Sequence, residues 1–251
     1  VEEINWLITE KAMYTRCGKI ITTSRKYMVN PVGSYKTKYW IKSWIPIKEK
    51  ISIDQTQYSV IVGSLLGDGT MRIGERAVNA NFKTEQGIEQ KNYVFWKYEF
   101  LKPLVFTEPK LSYRYRNTGE KYEKSWWFRT IRHPLLTNLY NMFYTGDGYR
   151  TGRKIIPINI SKFLNPLAVS IWIMDDGSYS RGKIDISTYS FTLQEIKRLQ
   201  KSLLETFKIN SNFYKDRNKG YRMYFNMHDT KKIVKLIKPY VIKSMMYKIG
   251  L

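Results

Sequence analysis

The sequence predicts an α+β chain made of two copies of one unit, in the order helix, two strands, helix, two strands, helix. Three observations predict it. Segments of helical apolar period alternate with short strand-like pairs, and this order runs through the chain twice. Each copy holds a small-residue helix ending in Asp-Gly, at Asp68-Gly69 and at Asp176-Gly177, 108 residues apart. The 251 residues carry 43 Lys+Arg against 21 Asp+Glu, a net charge of +22 spread over folded-looking segments rather than a tail.

The elements follow in order. Residues 1–55 form an N-terminal extension of uncertain role, within which Tyr35–Pro46 alternates basic and aromatic residues in a strand-like way. The first repeat spans 56–150. Its first helix runs from about Thr56 to Gly69, with Asp54 as N-cap and Gln57 as its capping-box partner. Gly63 and Gly67 are four apart, so they share one face and leave it bare for a close backbone approach. Strands follow near Met71–Arg76 and Val78–Glu85, then a helix from Ile88 to Lys102 stopped by Pro103. A hairpin of Leu111–Arg116 and Ser125–Ile131 turns around Asn117-Thr118-Gly119, and a helix runs from Pro134 to about Tyr144.

The second repeat spans 151–251. Asn165-Pro166 starts a helix that carries Leu167 to Asp176 and ends at Gly177. Strand Lys183–Tyr189 follows, then a helix from Thr192 with Glu195 as capping-box partner. Strands Asn212–Asp216 and Tyr221–Met227 place Arg222 and Tyr224 on a polar face and Met223 and Phe225 on an apolar one. A last helix covers Thr230–Ile237 before Pro239.

Composition excludes several classes. Hydrophobic residues at 43% and aromatics at 15% describe a folded protein, and no apolar run approaches a membrane span. One cysteine and two histidines argue against an internal disulfide and a Cys/His zinc site. The N-terminal stretch lacks a secretory pattern, and Glu2, Glu3 and Glu10 are foreign to a transit peptide. The positive charge calls for a polyanion, first of all a nucleic acid. Net charge is +5 over 1–57, +5 over 58–150 and +12 over 151–251, which implies tighter phosphate holding by the second repeat.

Asp68 and Asp176 stand at the helix end where the dipole is already negative, an unfavourable place for an anion by about 0.3–1 kcal/mol. If the two helices pack through their small residues, both carboxylates meet at one end. Such a pocket needs protons or cations, and oxygen donors select hard ones such as Mg²⁺.

The segments Val62–Gly69 (VGSLLGDG) and Ser170–Gly177 (SIWIMDDG) resemble the paired signature of the LAGLIDADG homing endonucleases, single-chain two-repeat type. The resemblance extends over about residues 56–249. It implies two αββαββα halves, each with an antiparallel saddle-shaped sheet over the DNA major groove, packed through the paired motif helices. It implies a monomer that cuts a long double-stranded DNA site, with Asp68 and Asp176 holding Mg²⁺, a site Ca²⁺ would fill without supporting cleavage. Lys154 and Lys248 match the family's active-site lysines. Gln86 fills the place of a polar glutamine common in the first half, and Tyr189 stands where the second would have one. Intron RNA is a further partner, since some members assist splicing, and a non-catalytic DNA-binding regulator is another reading. The Lys-Ile-Gly-Leu end lacks the His-Asn used in protein splicing. No membrane partner is implied. Abundant Ile, Lys, Asn and Tyr suit an AT-rich genome, which favours the mitochondrial matrix, with bacterial cytoplasm or chloroplast as alternatives.

In that frame the outward polar residues of the strands face DNA: Arg72, Arg76, Asn79, Asn81, Lys83, Arg114, Arg116 and Arg129 in the first repeat. Arg181, Lys183, Lys215, Arg217, Arg222 and Tyr224 do so in the second. Arg suits guanine and Asn suits adenine by hydrogen-bond geometry.

Overall fold

The computed structural model describes residues 13–14, 20–21, 48–75, 77–146 and 152–251. The chain divides into two compact units, Val1–Glu49 and Lys50–Leu251. In the first, strands β1 (Met13–Tyr14) and β2 (Ile20–Ile21) pair as an antiparallel ribbon. The expected strand at Tyr35–Pro46 lies outside the described residues.

The second unit holds the two repeats. The first comprises α1 (Gln55–Leu66), β3 (Thr70–Ile73), β4 (Ala80–Gly87), α2 (Lys91–Leu101), β5 (Lys110–Tyr115), β6 (Lys121–Arg129) and α3 (Pro134–Phe143). The second comprises α4 (Pro166–Asp176), β7 (Gly177–Ser180), β8 (Lys183–Ser187), α5 (Leu193–Phe207), β9 (Asn212–Asp216), β10 (Gly220–Tyr224) and α6 (Met227–Ile237). Each repeat builds one four-stranded antiparallel sheet, and the orders β3-β4-β6-β5 and β7-β8-β10-β9 are the same topology. The expected pair of αββαββα repeats is present.

Local chemistry sets the helix starts. Asp54 accepts from Gln57 N–H at 2.8 Å while the Gln57 side chain accepts from Asp54 N–H at 3.1 Å. Asn165 caps α4 with Pro166 behind it, and Thr192 with Glu195 forms the capping box of α5.

Several boundaries shift from expectation, and one strand is added. The first strand stops at Ile73 because Ala77 N–H closes a turn onto the Gly74 carbonyl. The β5–β6 turn closes at Arg116–Glu120, so β6 starts at Lys121 rather than Ser125. Strand β7 was not expected: its Gly-Ser-Tyr-Ser has no apolar alternation. The backbone at Arg181 (φ 50°) and Gly182 (φ 76°) makes the left-handed two-residue turn that pairs it with β8. Asn226 accepts from Asp229 N–H at 2.8 Å, so α6 begins at Met227 and β10 ends early, at Tyr224.

The core runs continuously through both repeats, with Val60, Ile61 and Leu65 of α1, and Ile171, Trp172 and Ile173 of α4, fully buried. Helices α1 and α4 lie against each other through the glycines. A Cβ on Gly63 would fall 2.4 Å from the Ala168 carbonyl oxygen and 2.8 Å from Ile171 Cβ. Asn165 Nδ2 adds a bond to Ser59 Oγ at 2.6 Å across the same contact. Gly63→Ala forces the helices apart and is expected to destabilise by about 1–3 kcal/mol in chemical denaturation. Gly87→Ala, where no atom lies within 4 Å of the new Cβ, should stay within about 0.5 kcal/mol.

Candidate active site

The helix pair carries Asp68 just past the end of α1, exposed, and Asp176 as the last residue of α4, half-buried. They meet at one end of the interface. Burial, and then the neighbouring charges of Asp68 and Asp175, push the Asp176 carboxyl up to about 7.

A lysine reaches each helix end. Lys154, bridged to Tyr144 at the close of the first repeat, donates from Nζ to the carbonyls of Gly67 (2.7 Å) and Gly69 (2.8 Å). Lys248 donates to the carbonyls of Asp175 (3.4 Å) and Gly177 (2.8 Å). Each ammonium therefore sits on the two carbonyls that flank one motif aspartate. Burial lowers the affinity of Lys154 for its proton, against the opposing pull of Asp176, Asp175 and Asp68.

Three participants were not singled out from the sequence. Asp175 is buried, and its Oδ1 accepts from Lys97 Nζ at 2.7 Å and from Gln86 Nε2 at 3.1 Å. Its Oδ2 accepts the main-chain N–H of Asp68 at 3.2 Å. Lys97 has a fully buried side chain, and its ammonium lies 4.3 Å from the centroid of buried Tyr93. Tyr93 donates to the Ile171 carbonyl at 3.2 Å. The signal was legible in part: Tyr93, Lys97 and Leu101 are spaced by four, so a lysine sits in the apolar stripe of its helix. Gln86 also donates to Asp68 Oδ2 at 3.0 Å. Its counterpart in the second repeat is Thr188, not Tyr189. Thr70 pairs with Lys83 as Ser178 pairs with Asp185, and three residues further on lie Gln86 and Thr188. Thr188 donates to the Tyr221 carbonyl at 2.7 Å, while Tyr189 turns to Asp216 and Arg222.

Register fixes the face of each strand residue. In the first sheet Thr70, Arg72, Asn81, Lys83, Trp127 and Arg129 line one depression of about 410 Å³. Asn81 lies at its floor, buried, and among the described residues its Oδ1 has no hydrogen-bond partner. Strand β5 alternates without interruption, so Arg114 continues the face of Lys110 and Ser112, and Arg116 follows in the turn. Its neighbour β6 bulges at Lys124–Ser125, and both residues bond Glu85 there. Burial of Glu85 is outweighed by those bonds and by Lys83, which hold its carboxyl down at about 2. Asn79 precedes β4 and accepts from Thr137 of α3, and Arg76 lies outside the described residues.

In the second sheet Lys183, Asp185, Arg222, Tyr214 and Tyr224 share the open face. Arg222 is tied to Asp185, to Ser187 at 3.1 Å and to Tyr189 at 3.1 Å. Lys215 pairs with Tyr221 and so projects on the same side as Phe213 and Met223, away from that face. Arg181 and Arg217 occupy left-handed turn positions at the ends of the hairpins.

Among the described residues no group of three or more His, Cys, Asp or Glu side chains is placed to hold a metal. The donors available at the helix ends are two carboxylates and main-chain carbonyls, all hard oxygens, in a pocket whose burial, and then mutual repulsion, already raise Asp176. Among the same residues no helix is long and apolar enough to cross a membrane.

Comparison with known proteins adds four findings. The model of the LAGLIDADG DNA endonuclease family matches residues 58–233. DNA endonuclease I-ChuI of Chlamydomonas applanata is 31% identical over 211 residues, 80% of this chain and 97% of its own. Cytochrome b mRNA maturase bI2 of Debaryomyces hansenii is 31% identical over 225 residues, 87% of this chain and 84% of its own. The homing endonuclease I-WcaI, solved bound to its DNA recognition sequence, superposes with a TM-score of 0.73 at 21% identity, over 89% of this chain and 95% of its own, and so shares the fold.

The raised Asp176 carboxyl has a pH signature. Its folded value, about 7 against an ordinary 3.8, means that folding takes up a proton between those values. The stability this group contributes is present below about pH 4 and lost as pH rises through 7. In metal-free buffer Asp176→Asn should therefore raise Tm, with a gain that grows from pH 5 to pH 7 and then levels off. Thermal melts across that range test it.

Proposed function

The chain belongs to the LAGLIDADG DNA endonuclease family, and from that premise we propose that it is a site-specific double-strand DNA endonuclease acting on a long target. The observation that carries the reading is the pair of carboxylates at adjacent helix ends, each flanked by carbonyls under its own lysine. Asp68 and Asp176, with the carbonyls of Gly67 and Asp175, would hold divalent cations, for which their oxygen donors fit Mg²⁺. The bound cation supplies Lewis-acid activation of water and stabilisation of the leaving oxygen. In each strand a water oxygen bonds to phosphorus as the phosphorus–oxygen bond to the leaving group breaks.

The protein's own residues do the rest. The two carboxylates fix the centre between the strands. Lys154 and Lys248 stand within reach of a phosphate at each helix end and would balance the charge that builds on it. The polar faces of the sheets hold the duplex: Arg72, Lys83, Arg114, Arg116 and Arg129 in one half, Lys183, Arg222 and Tyr224 in the other. One chain supplies both halves, so the protein acts as a monomer.

A second activity is favoured by one observation. Helix α3 (PLLTNLYNMF) carries no charged residue, whereas its counterpart α6 exposes Lys231, Lys232 and Lys235, with Lys238 just beyond. Lys232 pairs with Asp229, and all four lysines lie on the helical layer rather than on the open sheet face. Together with the maturase relatives, they support binding of a folded intron RNA outside the DNA saddle. The same relatives, and the AT-biased composition, support a mitochondrial location.

Selection from a library of duplex sites with Mg²⁺ should yield one long site cut in both strands, with double-strand cutting abolished in Asp68→Asn and in Asp176→Asn. Double-strand cutting that persists in both variants would remove the metal assignment. Protein saturated with that duplex should still bind host intron RNA, and Lys231→Gln/Lys235→Gln/Lys238→Gln should weaken this by about tenfold or more at fixed salt. RNA that is fully displaced by the duplex would remove the second activity.

A further inference from the structure

The two halves are not equivalent where they meet. A Cβ on Gly67 would lie 2.5 Å from Asp175 Cβ and 2.8 Å from its Oδ2, so the crossing has room for one side chain, and it comes from α4. That carboxylate reaches into the first half. It accepts Lys97 Nζ, Gln86 Nε2 and the Asp68 main-chain N–H, and Gln86 in turn bonds Asp68 Oδ2. Asp68 is therefore gripped at its backbone and at its side chain by one connected group.

Among the described residues Asp176 has no such grip. The residue matching Asp175 across the pseudo-twofold is Gly67, which has no side chain. The residue matching Gln86 is Thr188, bonded instead to the Tyr221 carbonyl. The same offset of 102 that relates Gln86 to Thr188 and the start of α2 to that of α5 takes Lys97 to Leu199, which is buried and apolar.

We infer that Asp175 and Lys97 are positioning residues that hold Asp68 and not Asp176, so that their loss slows the cutting of one strand more than that of the other. The inference rests on the endonuclease reading above. The chemistry of each strand is unchanged; what differs is how firmly its carboxylate is held before DNA arrives.

The test uses the full chain and a cognate duplex with its strands separately labelled. Single-turnover cleavage is followed for wild type and for Lys97→Met/Asp175→Asn, which removes both buried charges together. Should that variant fail to fold, Gln86→Leu, which touches both carboxylates without stranding a charge, takes its place. The ratio of the two strand-cleavage rate constants should shift tenfold or more, in favour of the strand that Asp68→Asn spares. Amide exchange at Asp68 in metal-free buffer should quicken by a similar factor, while that at Asp176 stays unchanged. Equal slowing of both strands, or an unchanged ratio with unchanged exchange, would overturn the inference and leave the endonuclease reading intact. A wild type that cuts no duplex would overturn both.

Discussion

The structure depends on one close crossing, that of α1 over α4 at Gly63 and Gly67. Two backbones can approach this way only where side chains are missing. The approach brings two helix C-termini side by side and so sets two carboxylates and their flanking carbonyls at one point. It also leaves a single gap, which the Asp175 carboxylate fills. Its ion pair with Lys97 is wholly buried. Such a pair adds little net stability, but stripping one partner from it typically removes about 3–5 kcal/mol. The crossing is thus protected against drift: any shift that opened it would leave an ammonium in the core without its carboxylate.

The charge has a different layout from the one composition suggests. On the open face of the first sheet one acid, Glu85, is occupied by Lys83 and Lys124, and Arg72, Arg114 and Arg129 remain for phosphates, while Arg116 pairs with Glu120 in the turn. On the second, Arg222 is already bonded to Asp185, and Asp216 accepts from Tyr189. The large surplus of the last third lies mostly elsewhere, on the outer faces of α5 and α6 and in the chain that follows. Net charge over a stretch of sequence therefore did not say which face of the sheet would carry it, because the lysines of α5, α6 and Lys215 lie away from the open face on which Lys183 stands.

Much of the fold was legible because its signals are local. Asp54 with Gln57, Asn165 with Pro166 and Thr192 with Glu195 mark helix starts through bonds made within four residues. The glycine stripe of α1 and the two Asp-Gly ends announced the helix pair. Strand β7 was missed because all its signal is in the turn after it, and α6 was begun late because Asn226 reads equally well as a strand residue or a cap. The second half's match to Gln86 was misplaced by one residue, since only the pairing of β7 with β8 fixes that count. The Lys97–Asp175 pair was invisible for a deeper reason: its members are 78 residues apart and belong to different repeats, so no local pattern joins them. In the sequence Asp175 is only a neighbour of Asp176; the helix crossing gives it its place.

That crossing also bears on how a two-repeat chain of this kind can change. A symmetric pairing of two first halves would face Gly67 with Gly67 and bury two Lys97 ammoniums with no acid to meet either. A symmetric pairing of two second halves would drive two Asp175 side chains into a gap that holds one, opposite Leu199 where each would want a cation. Each half is thus keyed to the other and not to itself. At this one contact the halves are not interchangeable, and halves exchanged between such proteins would combine only where the glycine, the acid and the buried lysine travel as a matched set.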